Sequence, residues 1–140
     1  MDALYTAEAL ATGGGRNGHV VTPDSRIDLD LAVPQAMGGS GAGANPEQLF
    51  AAGYAACFHS ALQSAARTAK VKIDGSSVGA QVSIGSMGDG AFGLAVTLEI
   101  VIPDVPAEQA RELAEAAHQI CPYSNATRGN IEVTLEVVED

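Results

Sequence analysis

The chain contains no tryptophan, and only three tyrosines and three phenylalanines among its 140 residues. A core built from it must come from Ala, Val, Leu and Ile, and a chain this rich in alanine can need a partner surface to bury enough area. Basic residues are equally scarce. Seven Lys and Arg stand against seventeen Asp and Glu, for a formal net charge of −10. That imbalance argues against nucleic acid and anionic membrane surfaces as partners, because no basic patch exists to neutralise phosphates. The opening "MDALYTAEAL" carries an acidic residue where an export signal has a basic one, and no long apolar region follows. No export signal is read, and a cytoplasmic location is expected. In a reducing cytosol a disulfide is more often catalytic or sensory than structural.

Apolar residues make up 46% of the chain and charged residues 17%, so disorder is not expected. The length suits one domain spanning residues 1–140. The segment "QLFAAGYAACFHSALQSAA" (48–66) has no formal charge and the length of a membrane span. However, Gln48, His59, Ser60, Gln63 and Ser64 fall on one arc at about 100° per residue, which fits a half-buried helix better than a lipid-exposed one.

Alternation predicts strands over residues 3–11 and 25–33, with Ile27, Leu29 and Leu31 on one face and "GGGRNGHV" as a turn and short strand between. "MGGSGAGAN" (37–45) reads as a Gly-rich loop. A helix then starts cleanly: Asn45 can cap, Pro46 suits the first helical position, and Glu47 lies in the first turn at the positive dipole end. It is expected to run to about Lys70. Two alternating stretches follow, 77–87 and 92–102, joined by the hairpin signal "GDG". Pro106 opens a shorter helix. Pro122 stops it and pushes Cys121 out of the helical region. "NIEVTLEVVE" is the last strand, with Ile131, Val133, Leu135 and Val137 inward. The order predicts an α+β domain of antiparallel sheets wrapped around a long central helix.

Three kinds of site compete for the two cysteines, Cys57 and Cys121. Each can be a small core hydrophobe, since cysteine is among the most buried residue types. A metal site is the second reading. Cys57 and His59 lie about 200° apart around a helix and cannot share an ion, which leaves Cys57, Cys121 and His118. No CxxC or HxxxH spacing supports it, and no metal is expected. The third reading is a reactive pair. Cys57 sits at the edge of the apolar arc, and Cys121 follows a helix end in a polar segment with Arg128, an asymmetry that suits an attacking and a resolving thiol. The Gly-rich loop lacks the Lys-Ser/Thr of a phosphate cradle and reads as a flexible loop able to cover a site. Arg16 and Glu47 alone read as a turn arginine and a first-turn carboxylate.

Together, "NPEQLFAAGYAACFHSAL", "CPYSNATRGNI" and the opening "LYTAEALATGGGRNG" resemble the organic hydroperoxide resistance branch of the Ohr/OsmC family, over almost the whole chain. The resemblance implies an intertwined homodimer with two active sites and a thiol peroxidase acting on alkyl and fatty-acid hydroperoxides. It implies that Cys57 is the peroxidatic thiol, Cys121 the resolving one, and Arg16 and Glu47 the pair that activates the thiol. It implies no bound cofactor, and dihydrolipoamide or lipoylated proteins as external reductant. If Glu47 and Cys57 share one helix, they lie about 15 Å apart along it, so Glu47 is expected to serve the partner subunit's site. Phe50, Tyr54, Phe58 and Leu62 are expected to line an apolar substrate pocket near Cys57, which favours an alkyl tail over hydrogen peroxide. Two other functions use the same residues. A redox sensor would turn over slowly or not at all with a dithiol, and lacks a basic DNA-binding element. An apolar-ligand module would carry inert cysteines.

Overall fold

The computed structural model describes residues 1–139, which divide into two compact units meeting in the chain at Leu49 and Phe50. The first unit holds a three-stranded antiparallel sheet: β1 (Leu10–Thr12), β2 (His19–Val21) and β3 (Asp28–Asp30), in that order. The middle strand sets its size. β2 pairs Leu10 with Val21 on one side and Val21 with Asp28 on the other, and has only three residues to offer. The expected strands over 3–11 and 25–33 are therefore cut to three residues each. Residues 3–9 find no partner strand among the described residues, and Leu4 and Tyr5 are almost wholly exposed. Across β2 and β3 the His19 ring bridges two carboxylates, with Nδ1 2.8 Å from Asp30 and Nε2 2.6 Å from Asp28. The Gly-rich loop is tied at its end, where Ala44 exchanges backbone hydrogen bonds with Asp30 and Ala32.

The long helix α1 (Pro46–Ala69) starts and ends where its capping chemistry and length predict. Of its polar arc, Gln48, Ser60 and Gln63 are exposed, and His59 and Ser64 are half-buried. In the second unit it is followed by β4 (Ser77–Gly88), β5 (Ala91–Val101), α2 (Ala107–Ile120), α3 (Pro122–Thr127) and β6 (Glu132–Val137). β4 and β5 form the expected hairpin, closed by the two-residue turn Asp89–Gly90. β6 corrects the antiparallel expectation, because it pairs with β5 in parallel, Val96 against Val133 and Leu98 against Leu135. The chain between β5 and β6 carries two helices, and a helical crossover is what a parallel pairing needs. The sheet β4-β5-β6 is thus mixed.

Inward residues of β5 (Val96, Leu98, Ile100), the following Ile102, and α2 (Ala110, Leu113, Ala114, Ala117) form one buried cluster with Tyr54, Phe58, Ala61, Leu62, Ala65 and Ala66 of α1. Tyr54, Phe58 and Leu62 have no exposed surface. Spaced four apart, they are the core stripe of α1. Truncating a phenylalanine or leucine packed like this costs about 2–5 kcal/mol. Among the described residues no helix is long and apolar enough to cross a membrane.

Candidate active site

In the first unit the local sequence builds an ion pair. Asn45 and Gln48 cap the start of α1 reciprocally: Gln48 N–H donates to Asn45 Oδ1 at 2.9 Å, and Asn45 N–H donates to Gln48 Oε1 at 3.1 Å. This fixes Glu47 between them. Arg16 sits in a single 3₁₀ turn, Gly15–Asn17. The loop closes there only because residue 18 is glycine, since a Cβ on Gly18 would lie 2.1 Å from the Thr12 carbonyl oxygen. The Arg16 guanidinium donates two parallel hydrogen bonds, Nη1 to Glu47 Oε2 at 2.8 Å and Nη2 to Oε1 at 2.7 Å. Glu47 is largely buried and Arg16 is 37% exposed. The pair holds the Glu47 carboxyl below its usual range, and the same hydrogen bonds raise Arg16 further above its own. The remaining guanidinium N–H groups are left to meet an anion or a polar oxygen.

In the second unit α1 carries Cys57, half-buried, and the joint between α2 and α3 carries Cys121, fully buried. Cys121 is extended, as the following proline requires. Pro122, expected only to stop α2, also opens α3 as its first residue, so the polar segment after Cys121 is a short helix. The two sulfurs lie 3.6 Å apart, and both are free thiols. A disulfide needs about 2.05 Å, so closure takes an approach of roughly 1.5 Å. Burial pushes the Cys57 thiol above the ordinary range, the Tyr123 backbone N–H pulls it down, and the neighbouring Cys121 sulfur adds to the rise.

The residues expected to line a pocket divide. Phe50 is partly exposed and packs against the core. Tyr54, Phe58 and Leu62 belong to the core itself and present no surface to a ligand, which corrects that expectation. The aromatic ring that joins Phe50 was passed over in the sequence. Tyr123 lies 6.2 Å from Phe50 and 5.6 Å from Tyr54, centroid to centroid. It reaches α1 because residue 53 is glycine: a Cβ there would lie 2.9 Å from Tyr123 Oη. Of the metal candidates, His118 turns its Nδ1 to Ser124 Oγ at 2.8 Å, and His59 its Nε2 to Ser76 Oγ at 3.0 Å.

The OsmC-like protein family model matches residues 38–136, a stretch that includes both cysteines and Glu47. The organic hydroperoxide resistance protein of Xanthomonas axonopodis pv. citri is 51% identical over 134 residues, 94% of this chain and 93% of that one. The organic hydroperoxide resistance protein of Elizabethkingia anophelis, solved with thiocyanate bound, superposes with a TM-score of 0.93 at 51% identity, covering 100% of both chains. OhrB of Bacillus subtilis superposes with a TM-score of 0.88 at 47% identity, covering 97% of this chain and 100% of that one. The chain belongs to the Ohr/OsmC family, in its organic hydroperoxide resistance branch.

Proposed function

We propose that the protein is a cysteine-based peroxidase that reduces organic hydroperoxides to alcohols. The observation that carries this reading is the thiol pair, a half-exposed Cys57 with a fully buried Cys121 sulfur 3.6 Å away. A reachable thiol attacks, and a sheltered one resolves. The Cys57 thiolate displaces alkoxide from the distal peroxide oxygen, which leaves as the alcohol after protonation, and Cys57 becomes a sulfenic acid. Cys121 then condenses with it, releasing water and forming the disulfide. A dithiol reduces the disulfide by exchange. In this reading the donor is a dihydrolipoyl group, free or on a lipoylated protein, and the setting is the cytoplasm. Arg16, held by Glu47, serves the reaction by binding and polarising the peroxide. The active form is an intertwined homodimer. The unpaired residues 3–9, with exposed Leu4 and Tyr5, support an extended segment that pairs with a second copy. The names of the relatives support the substrate class.

The test is a titration of the reduced protein with one equivalent of tert-butyl hydroperoxide, and separately of hydrogen peroxide, followed by thiol blocking and peptide mass spectrometry. A Cys57–Cys121 disulfide forming at least tenfold faster with the alkyl peroxide is the expected result. Two unreacted thiols would remove the reading.

The apolar edge offered by Phe50 and Tyr123 predicts a second result. Gly53→Ala gains about 0.5–1 kcal/mol of helix propensity but displaces the side chain of Tyr123, a residue that is 40% exposed. Denaturant unfolding should show stability within about 1 kcal/mol of the parent. The ratio of alkyl-hydroperoxide to hydrogen-peroxide rates should fall several-fold. An unchanged ratio would mean that Tyr123 does not line the substrate's path.

A further inference from the structure

Cys121 sits at a joint between two helices. α2 ends at Ile120, Cys121 is extended with φ −65° and ψ 123°, and α3 starts at Pro122. Side chains around this joint form a continuous chain of hydrogen bonds. His118 Nδ1 lies 2.8 Å from Ser124 Oγ. Ser124 Oγ lies 2.8 Å from the Tyr54 hydroxyl, which lies 3.1 Å from Thr127 Oγ1. Thr127 Oγ1 donates to the Ser124 carbonyl at 3.2 Å. Tyr54, Ser124 and Thr127 are all buried. Arg128 adds a brace, donating from Nη2 to the His118 carbonyl and from Nη1 to Asn125 Oδ1 at 2.9 Å.

Counting protons gives the chain a direction. Each hydroxyl has one hydrogen to donate. With the Thr127 hydrogen on the Ser124 carbonyl, the order that makes every one of these bonds at once has Tyr54 donating to Thr127. Ser124 must then donate to Tyr54. Ser124 has nothing left for the histidine, so His118 Nδ1 carries a hydrogen and donates it. Burial and the nearby Arg128 charge hold His118 below the usual histidine value, against the opposing pull of Glu115. At neutral pH the ring is therefore neutral, with its single hydrogen on Nδ1. In water the neutral ring prefers the other nitrogen, so the buried hydroxyls impose this tautomer.

We propose that His118 is a positioning residue for the resolving thiol. Through Ser124 it ties α3 both to the end of α2 and, by Tyr54, to α1 less than one turn before Cys57, so that the Cys121 sulfur stays within reach. The proposal rests on the peroxidase reading, and concerns one step of it. In that step the sulfenic S–O bond of Cys57 breaks, the S–S bond forms, and the Cys121 thiol proton leaves with the hydroxyl as water. No oxidant is needed beyond the first hydroperoxide. If α3 drifts, the sulfenic acid survives longer, and a second hydroperoxide converts it to sulfinic acid. The hydrogen-bond chain therefore sets the partition between a recoverable disulfide and a dead-end sulfinate.

The experiment uses the full chain and three variants, His118→Asn, His118→Leu and Ser124→Ala, treated with one and then ten equivalents of tert-butyl hydroperoxide. Mass spectrometry reads the disulfide and sulfinic fractions, and stopped flow reads the loss of the first thiol. Asparagine places an amide N–H close to where Nδ1–H sits, whereas leucine keeps bulk without a donor. Expected are a disulfide product in the parent and in His118→Asn, and at least fivefold more sulfinic acid in His118→Leu and Ser124→Ala. The rate of first thiol loss in His118→Leu should be unchanged. Equal sulfinic fractions in all four proteins, or His118→Asn failing like His118→Leu, would overturn the proposal. So would a ¹⁵N NMR spectrum of the unsubstituted protein placing the neutral His118 hydrogen on Nε2, a reading that needs no variant to fold. A parent protein that forms no disulfide at one equivalent would instead remove the peroxidase reading itself, and this inference with it.

Discussion

Cys57→Ser is expected to abolish hydroperoxide reduction, with a loss on the order of 10³-fold or more, while Cys121→Ser keeps the first oxidation step and loses the protection that follows it. The asymmetry comes from exposure. Cys57 retains surface, whereas Cys121 has none. With Cys57 gone, the remaining thiol is sealed in the core and a serine hydroxyl cannot reduce a peroxide. With Cys121 gone, the Cys57 sulfenic acid has no thiol at 3.6 Å to condense with. At ten equivalents of alkyl hydroperoxide the Cys121→Ser protein should carry mainly sulfinic acid at Cys57, and the unsubstituted protein mainly disulfide. Peptide mass spectrometry after a timed quench reads both. A Cys57→Ser protein that still consumed hydroperoxide would reverse the roles assigned to the two residues. The Cys121→Ser value also marks the ceiling for the His118 and Ser124 variants, which slow the resolving step without removing its thiol.

Local chemistry was legible in the sequence, and non-local pairing was not. Asn45, Pro46 and Glu47 announce the start of α1 because capping is settled within one turn, and the structure begins the helix at Pro46. The hairpin at Asp89–Gly90 was legible for the same reason. The strand expected over residues 3–11 is a pattern that needs a partner backbone, and the three residues of β2 supply too little. Alternation in β6 said which side faces inward, but nothing in it distinguishes parallel from antiparallel. The direction follows from the two helices placed before it. Pro122 is ambiguous in a different way. The same ring that ends one helix pre-sets the first turn of the next, and only packing decides whether that turn continues.

The site divides along the same line. Cys57 and Cys121 are sixty-four residues apart, and no spacing rule could have joined them. The family resemblance did. The stripe Tyr54, Phe58, Leu62 is visible at helical spacing but is expected as a pocket wall; the structure buries it in the core, which is where a regular apolar stripe on a deeply packed helix belongs. Tyr54 carried a further signal. A tyrosine on the apolar face of a deeply packed helix must find a partner for its hydroxyl. Ser124 and Thr127, three residues apart after the proline, are that partner, and they became legible only once α3 existed.

Arg16→Lys is expected to lower kcat/KM for an alkyl hydroperoxide by about 10–100-fold even where the thiol still ionises. The surroundings that Cys57 shares with Cys121 and Tyr123 leave its thiol above the ordinary range, with burial the largest cause. A peroxidatic role therefore calls on a cation, and in the proposed mechanism Arg16 is that cation. Ionisation alone gives little. Lowering a thiol pKa from about 8.5 by about 2.5 units raises the thiolate fraction roughly thirtyfold at neutral pH, but a Brønsted slope near 0.4–0.5 takes back roughly tenfold in nucleophilicity. The rest must come from orienting the peroxide and stabilising charge as the O–O bond breaks. Arginine does this with planar, directed N–H groups, and Glu47 fixes their plane through bonds of 2.7 and 2.8 Å. Lysine keeps the charge and loses the plane. The two contributions separate in one pair of measurements, the pH profile of Cys57 alkylation and the hydroperoxide rate. If the proposed mechanism holds and the Arg16 charge acts on the thiol, Arg16→Gln should move the alkylation midpoint to higher pH. Arg16→Lys should leave that midpoint within about one unit of the parent, yet share most of the loss in peroxidase rate. A lysine variant with near-parental kcat/KM would reduce Arg16 to a charge and refute the orientation argument.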